Sequence, residues 1–129
     1  MSSAGEKKKL LIVDDNEMEL LVAKAMLKDE YEVLIAKSGK EALEYFFNGL
    51  IPDLILLDIL MPTMDGWETY NRIRAIGFLQ DIPIAFLTSL VGTAEEKRAL
   101  EMGAADYILK PYEKEDLLNR IKNILKKSK

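Results

Sequence analysis

The strict alternation of short apolar runs with amphipathic segments constrains this chain more than any other feature. Apolar runs at 10–13, 31–36, 54–57, 84–87 and 107–109 are each followed by an amphipathic stretch, at 17–28, 40–47, 67–76, 94–102 and 114–126. Strand-length apolar runs alternating with helical periodicity predict five strands and five helices in βα order. Such a chain folds as a doubly wound α/β domain, a five-stranded parallel sheet covered by helices on both faces. The expected strand order is 2-1-3-4-5, which places any site at the carboxyl ends of the strands.

Local signals set the expected boundaries. The sequences Ser38-Gly39-Lys40-Glu41 and Thr93-Ala94-Glu95-Glu96 both have the form of a capping box and mark the openings of the second and fourth helices. Gly77 and Gly103 are the expected C-caps of the third and fourth. Met18, Leu21, Val22 and Ala25 form the predicted core stripe of the first helix. Leu117, Leu118, Ile121, Ile124 and Leu125 form that of the fifth. Leu20 and Leu27 fall off the first stripe, free either to dock a partner's helices or to pack on the fifth helix. The fourth helix has only Ala94, Ala99 and Leu100 to bury and should be the least firmly packed. Residues 1–8 read as a disordered tail and 9–127 as one domain.

With 129 residues the chain can bury a single core unaided. It has no Cys and no His, which removes zinc sites, thiol chemistry and Ser-His-Asp triads. A net charge of −4 gives no footprint for direct nucleic-acid binding. Neither a membrane span nor a signal peptide is evident, so a cytoplasmic location is expected. The chemistry must come from carboxylates, hydroxyls and lysines.

Those groups gather where strands end. Asp14 and Asp15 follow the first strand, Asp58 the third, Thr88 and Ser89 the fourth, and Lys110-Pro111 the fifth. Asp58 interrupts the otherwise apolar run 54–61, and a carboxylate there needs a cation or a site to face. Three converging carboxylates and one lysine leave charge for a divalent ion, and oxygen-only ligands favour Mg²⁺. A metal, an ammonium and a carboxylate nucleophile are what phosphoryl transfer to an acyl phosphate requires. Each residue also has an ordinary alternative. Asp14, Asp15 or Asn16 can cap the first helix, Asp58 can open a turn before Pro62, Thr88 can be a local cap, Lys110 a solvated lysine and Tyr107 a strand aromatic.

Taken together, Asp14-Asp15, Asp58-Ile59-Leu60-Met61-Pro62 with Met64-Asp65-Gly66, Leu87-Thr88-Ser89, and Tyr107-Ile108-Leu109-Lys110-Pro111 resemble the receiver domains of two-component response regulators, typified by the chemotaxis regulator. The resemblance runs from about Leu10 to Leu125. It implies the flavodoxin-like three-layer sandwich and a Mg²⁺-dependent phosphoacceptor role rather than a turnover enzyme. Asp58 would take a phosphoryl group from the phosphohistidine of a sensor histidine kinase or phosphotransfer protein. Asp15, Asp58 and the Leu60 carbonyl would hold Mg²⁺, with Asp14 acting through water. Lys110, Thr88 and the Ser89 amide would bind phosphoryl oxygens. Thr88 and Tyr107 would switch the face formed by the fourth helix, fifth strand and fifth helix, toward a downstream effector. Lys110-Pro111 corresponds to a cis peptide in the family.

A degenerate receiver acting only as a protein-binding module is the main alternative. A haloacid-dehalogenase-type phosphatase would need a second Asp where Leu60 stands, and an FMN-binding fold would not place Asp14-Asp15 on its phosphate loop. Two departures from the common family pattern stand out. Ser89 occupies a position where Ala or Gly is commoner, and Leu60 and Leu90 occupy positions that are often polar. Apolar side chains at the pocket lip are expected to slow attack by water on the acyl phosphate. The residues contain no effector domain, so the chain reads either as a stand-alone receiver or as the first domain of a longer regulator.

Overall fold

The computed structural model describes residues 6–128. Five strands alternate with five helices: β1 Lys9–Val13, α1 Glu17–Leu27, β2 Glu32–Ala36, α2 Gly39–Phe47, β3 Leu54–Leu57, α3 Gly66–Arg74, β4 Ile84–Thr88, α4 Thr93–Met102, β5 Asp106–Leu109 and α5 Lys114–Lys127. A 3-10 turn, Gly77–Leu79, lies between α3 and β4. The sheet is parallel in the order β2-β1-β3-β4-β5, as the alternation predicts. Its central strands β3 and β4 are buried along their whole length, which is why they read as unbroken apolar runs.

The sheet separates two cores. Leu11, Val13, Ile55, Leu57 and Phe86 face α2, α3 and α4, while Leu10, Ile12, Leu54, Leu56 and Leu87 face α1 and α5. Alternate residues of each strand thus serve opposite layers, the period-two consequence of the pleat. Among the described residues no helix is long and apolar enough to cross a membrane. The tail assigned to residues 1–8 falls outside the described residues over 1–5. Within 6–8, the Lys7 ammonium donates to the Lys28 carbonyl at 2.9 Å.

The structure reverses the expected face of α1. Leu20, Ala23 and Leu27 are buried against the sheet, in one cluster with Leu117, Leu118, Ile121 and Ile124 of α5. The predicted stripe is outside, with Met18 69%, Leu21 50% and Val22 43% exposed and Ala25 exposed as well. Both sets obey helical spacing because the contiguous run Leu20-Leu21-Val22-Ala23 is apolar nearly all round, so periodicity alone cannot set the phase. The α5 stripe is as expected, with Leu125 partly buried.

Two caps also differ from expectation. Ser38 caps α2, its hydroxyl accepting the Glu41 N–H at 3.0 Å, while Glu41 reaches back to the Lys37 N–H at 2.7 Å. Thr93, however, is the first residue of α4, whose N-cap is Gly92 with no side-chain hydrogen bond. The Glu95 carboxylate lies against Gly92, in the space a Cβ there would need. We predict that Ser38→Ala costs about 1 kcal/mol in chemical denaturation, whereas Thr93→Ala stays within about 0.5 kcal/mol. Equal losses would contradict the assignment. Gly103 is the C-cap of α4, at φ 103°, in the left-handed region that favours glycine. Gly77 does not end α3, which closes at Ala75; instead it opens the 3-10 turn. Of α4's apolar residues only Ala99 is buried, while Ala94 and Leu100 are exposed.

Candidate functional site

Backbone bonding past the strand ends lines the site up. The Asp58 N–H donates to the Val13 carbonyl at 2.9 Å, and the Lys110 N–H donates to the Thr88 carbonyl at 2.9 Å. Asp14 is fixed to the β2 side by its N–H to the Ala36 carbonyl at 3.1 Å. The sheet therefore carries Asp14, Asp15, Asp58, Thr88 and Lys110 to one edge. The Lys110-Pro111 peptide is cis.

Carboxylate oxygens of Asp14, Asp15 and Asp58 lie within 4.8 Å of one another, with Asp14 and Asp58 buried and Asp15 exposed. Capping of α1 falls to Asn16, whose side chain accepts the Glu19 N–H at 3.0 Å, so neither Asp is consumed as that helix's cap. Asp14 Oδ1 accepts the Asn16 N–H at 2.9 Å, which aims its other oxygen at Lys110. The Lys110 ammonium donates to Asp14 Oδ2 at 2.5 Å and to Glu19 Oε1 at 2.5 Å, with Asp58 Oδ2 at 3.3 Å. Burial works against a charged Lys110. Its hydrogen bonds to Asp14 and Glu19, with the charges of Asp58 and Asp14, outweigh that and hold the ammonium well above the usual lysine range. Burial raises the Asp14 carboxyl, and the hydrogen bonds from Lys110 and the Asn16 N–H only partly offset it. Crowded, oxygen-only and water-accessible through Asp15, the cluster is suited to a hard cation of the Mg²⁺ type.

Thr88 is wholly buried, and its hydroxyl accepts the Leu90 N–H at 3.2 Å. The Tyr107 hydroxyl donates to the carbonyl of the same residue at 2.6 Å. Its ring is buried and completes an aromatic row, with Trp67 5.1 Å and Tyr107 6.3 Å from the Phe86 centroid. Burial, with Glu95, Glu96 and Asp58 nearby, pushes the Tyr107 phenol up, so it stays a donor at neutral pH. Ser89 is exposed. Leu60 is 51% exposed, whereas Leu90 is half-buried against the α3–α4 side of the core. The Asp58 carboxylate accepts the Leu60 N–H at 3.3 Å.

The chain as a whole is similar to known proteins. Residues 10–122 match the family model for the response regulator receiver domain. The chain belongs to that family. It is similar to the transcriptional regulatory protein DltR of Streptococcus agalactiae, 40% identical over 115 residues that make up 88% of this chain and 50% of that protein. The chain spans about half the length of the curated relatives it matches. Among solved structures, the Vibrio cholerae chemotaxis protein CheY4 aligns with a TM-score of 0.86 at 29% identity, covering 92% of this chain and 99% of that one. A CheY-like receiver domain protein from Methanospirillum hungatei aligns at 0.83 with 32% identity, covering 94% and 95%. As a receiver domain the chain is a phosphoaccepting signalling module, not a turnover enzyme, and its complete acidic cluster gives no sign of a degenerate variant.

The sequence missed Glu19 as a partner of Lys110. Its only signal was indirect, since Asn16 at the N-cap places Glu19 at the third helical position, in the turn facing the site. It also missed Arg98, which lies over the Trp67 ring at 4.1 Å.

Proposed function

We propose that Asp58 is the phosphoacceptor of a receiver domain spanning 9–127, taking its phosphoryl group from the phosphohistidine of a sensor histidine kinase or phosphotransfer protein. The phosphorus–nitrogen bond of the donor breaks, a bond from an Asp58 carboxylate oxygen to phosphorus forms, and the imidazole leaves. The observation that carries this is a buried carboxylate at the end of β3 within reach of a partly buried ammonium and two further carboxylates. Asp15, Asp58 and the Leu60 carbonyl would hold Mg²⁺, with Asp14 acting through water. The ion supplies charge neutralisation for the transferring phosphoryl group. Lys110 supplies the protein's own positive charge, and Thr88 and the Ser89 amide bind the remaining oxygens.

Leu90 supplies a link from site to surface. Its N–H is held by Thr88 and its carbonyl by Tyr107. When the Thr88 hydroxyl turns to a phosphoryl oxygen it releases one end of that residue, loosening the hold of Tyr107 on the other. The α4-β5-α5 face, where α4 is thinly packed, then shifts toward the state an effector recognises. The exposed Met18 and Val22 line a groove of about 440 Å³ that also includes Lys110, Pro111 and Tyr112, and it suits the donor's helices.

Incubation with acetyl phosphate tests this reading. One phosphoryl adduct by intact mass, dependent on Mg²⁺ and absent with a chelator, supports it, and no adduct refutes it. Leu60 and Leu90 make a separate prediction: Leu60→Asn/Leu90→Glu should shorten the phosphoryl half-life severalfold, because polar groups at the lip admit and orient water. Equal half-lives would exclude a role for either leucine.

A further inference from the structure

We infer that Glu19 is a positioning residue for the phosphoryl-transfer reaction: it occupies Lys110 in the resting state and must be displaced before that lysine can bind a phosphoryl oxygen. The inference rests on the phosphoacceptor reading of Asp58. An ammonium has three donors, and in this site all of them face carboxylates, Asp14 at 2.5 Å, Glu19 at 2.5 Å and Asp58 at 3.3 Å. An incoming phosphoryl oxygen therefore finds no free N–H and has to replace a partner.

The environments of the three carboxylates decide which one yields. Asp14 is only 5% exposed, and its second oxygen is tied to the Asn16 N–H. Asp58 is the group being phosphorylated, so it stays in place. Glu19 is 48% exposed, and Lys110 is its side-chain hydrogen-bonding partner. Released, it rotates into water with little desolvation to reverse. The ordinary role for a first-turn glutamate is to complement the helix dipole, which Glu17 also does. That role requires no lysine, and it does not explain a 2.5 Å contact to a residue 91 positions away.

Two consequences follow from the charges. While paired, Glu19 draws positive charge away from Asp58, where the phosphoryl group will bind. Its own charge also repels the phosphoryl dianion at the mouth of the site. Both effects raise the threshold for phosphorylation, so only a donor that is well bound or in good supply drives the reaction. Glu19 thus acts as a built-in competitor standing in for the phosphoryl oxygen on Lys110.

The test uses the full chain at saturating Mg²⁺, because removing a nearby carboxylate also weakens metal binding. Phosphorylation by acetyl phosphate is followed by intact mass, and beryllofluoride affinity by calorimetry, for the wild type, Glu19→Gln and Glu19→Asp, each also with Lys110→Ala. Glu19→Gln should accelerate phosphorylation and tighten beryllofluoride binding by about three- to fivefold, the upper part of the range for a partly exposed ion pair. Glu19→Asp keeps the charge but shortens the reach, and should give most of that gain. In the Lys110→Ala background the gain should fall to within error, because two residues acting through one contact are not additive. The assignment is overturned if Glu19→Gln matches the wild type, if Glu19→Asp matches the wild type while Glu19→Gln does not, or if the gain persists without Lys110. A wild type that accepts no phosphoryl group overturns the phosphoacceptor reading, and this inference falls with it.

Discussion

Asp58→Asn will carry no phosphoryl adduct, its rate with acetyl phosphate and Mg²⁺ falling by about a thousandfold or more, as expected when a nucleophile is removed. The substitution isolates chemistry from structure. Asn has nearly the same shape, and its side-chain oxygen can still accept the Leu60 N–H that Asp58 accepts at 3.3 Å. The backbone bond from residue 58 to the Val13 carbonyl is unaffected. What disappears is the anionic oxygen proposed to attack phosphorus. One of three crowded carboxylates is neutralised as well, so the metal-free variant should melt at or above the wild-type temperature. A melting point clearly below the wild type would mean that Asp58 is structural, and an undiminished adduct in the variant would move the nucleophile to another residue. Peptide mapping of the wild-type adduct supplies the positive result.

Gly66→Ala should be the most damaging single-methyl change in the chain. A Cβ at Gly66 would fall inside contact distance of the Asp58 carbonyl oxygen and lie 2.5 Å from Ile59 Cα. Both are backbone atoms, so neither can step aside by changing rotamer. The Gly66 N–H also donates to the Ile59 carbonyl at 2.8 Å, pinning the start of α3 against the loop that presents Asp58. Overpacking of this kind costs about 3 kcal/mol, at the upper end of the usual range. For a domain of this size that lowers the melting temperature by roughly 10 °C. Gly77→Ala is the control, since a Cβ there meets nothing within 4 Å. The pair should differ sharply in thermal melts. A Gly66→Ala protein as stable as the control would show that the β3–α3 loop can yield, and phosphorylation of that variant would then report by how much.

How far the sequence could be read depended on whether a residue's environment was set locally. Strands β3 and β4 were legible because burial on both faces makes them uniformly apolar. Asp58 was legible because a carboxylate in such a strand has few tolerable explanations. The convergence of Asp14, Asp15, Asp58 and Lys110 followed from sheet order, and the structure brings them together. The face of α1 was not legible, because Met18 and Leu21 fit helical spacing as well as Leu20 and Leu27 do. Only the sheet opposite could choose between them. The cap of α4 failed for a related reason: a glycine N-cap offers no side chain to recognise, and Thr93 one residue on supplied a decoy. Glu19 was hard to reach because its partner is 91 positions away, and its one local signal, the third helical position after the Asn16 cap, names no partner.

The thin anchoring of α4 has a consequence for how such a domain changes over time. Ala99 is the helix's buried residue, Met102 is partly buried, and Arg98 rests on the Trp67 ring. At the other positions the fold places almost no demand on side-chain identity, since exposed substitutions usually stay within about 0.5 kcal/mol. A duplicated gene could therefore rewrite the helix's outward chemistry step by step, each intermediate still folding and still presenting an intact pocket. The same thin packing that would let α4 shift in the proposed switch leaves it open to acquiring a new listener.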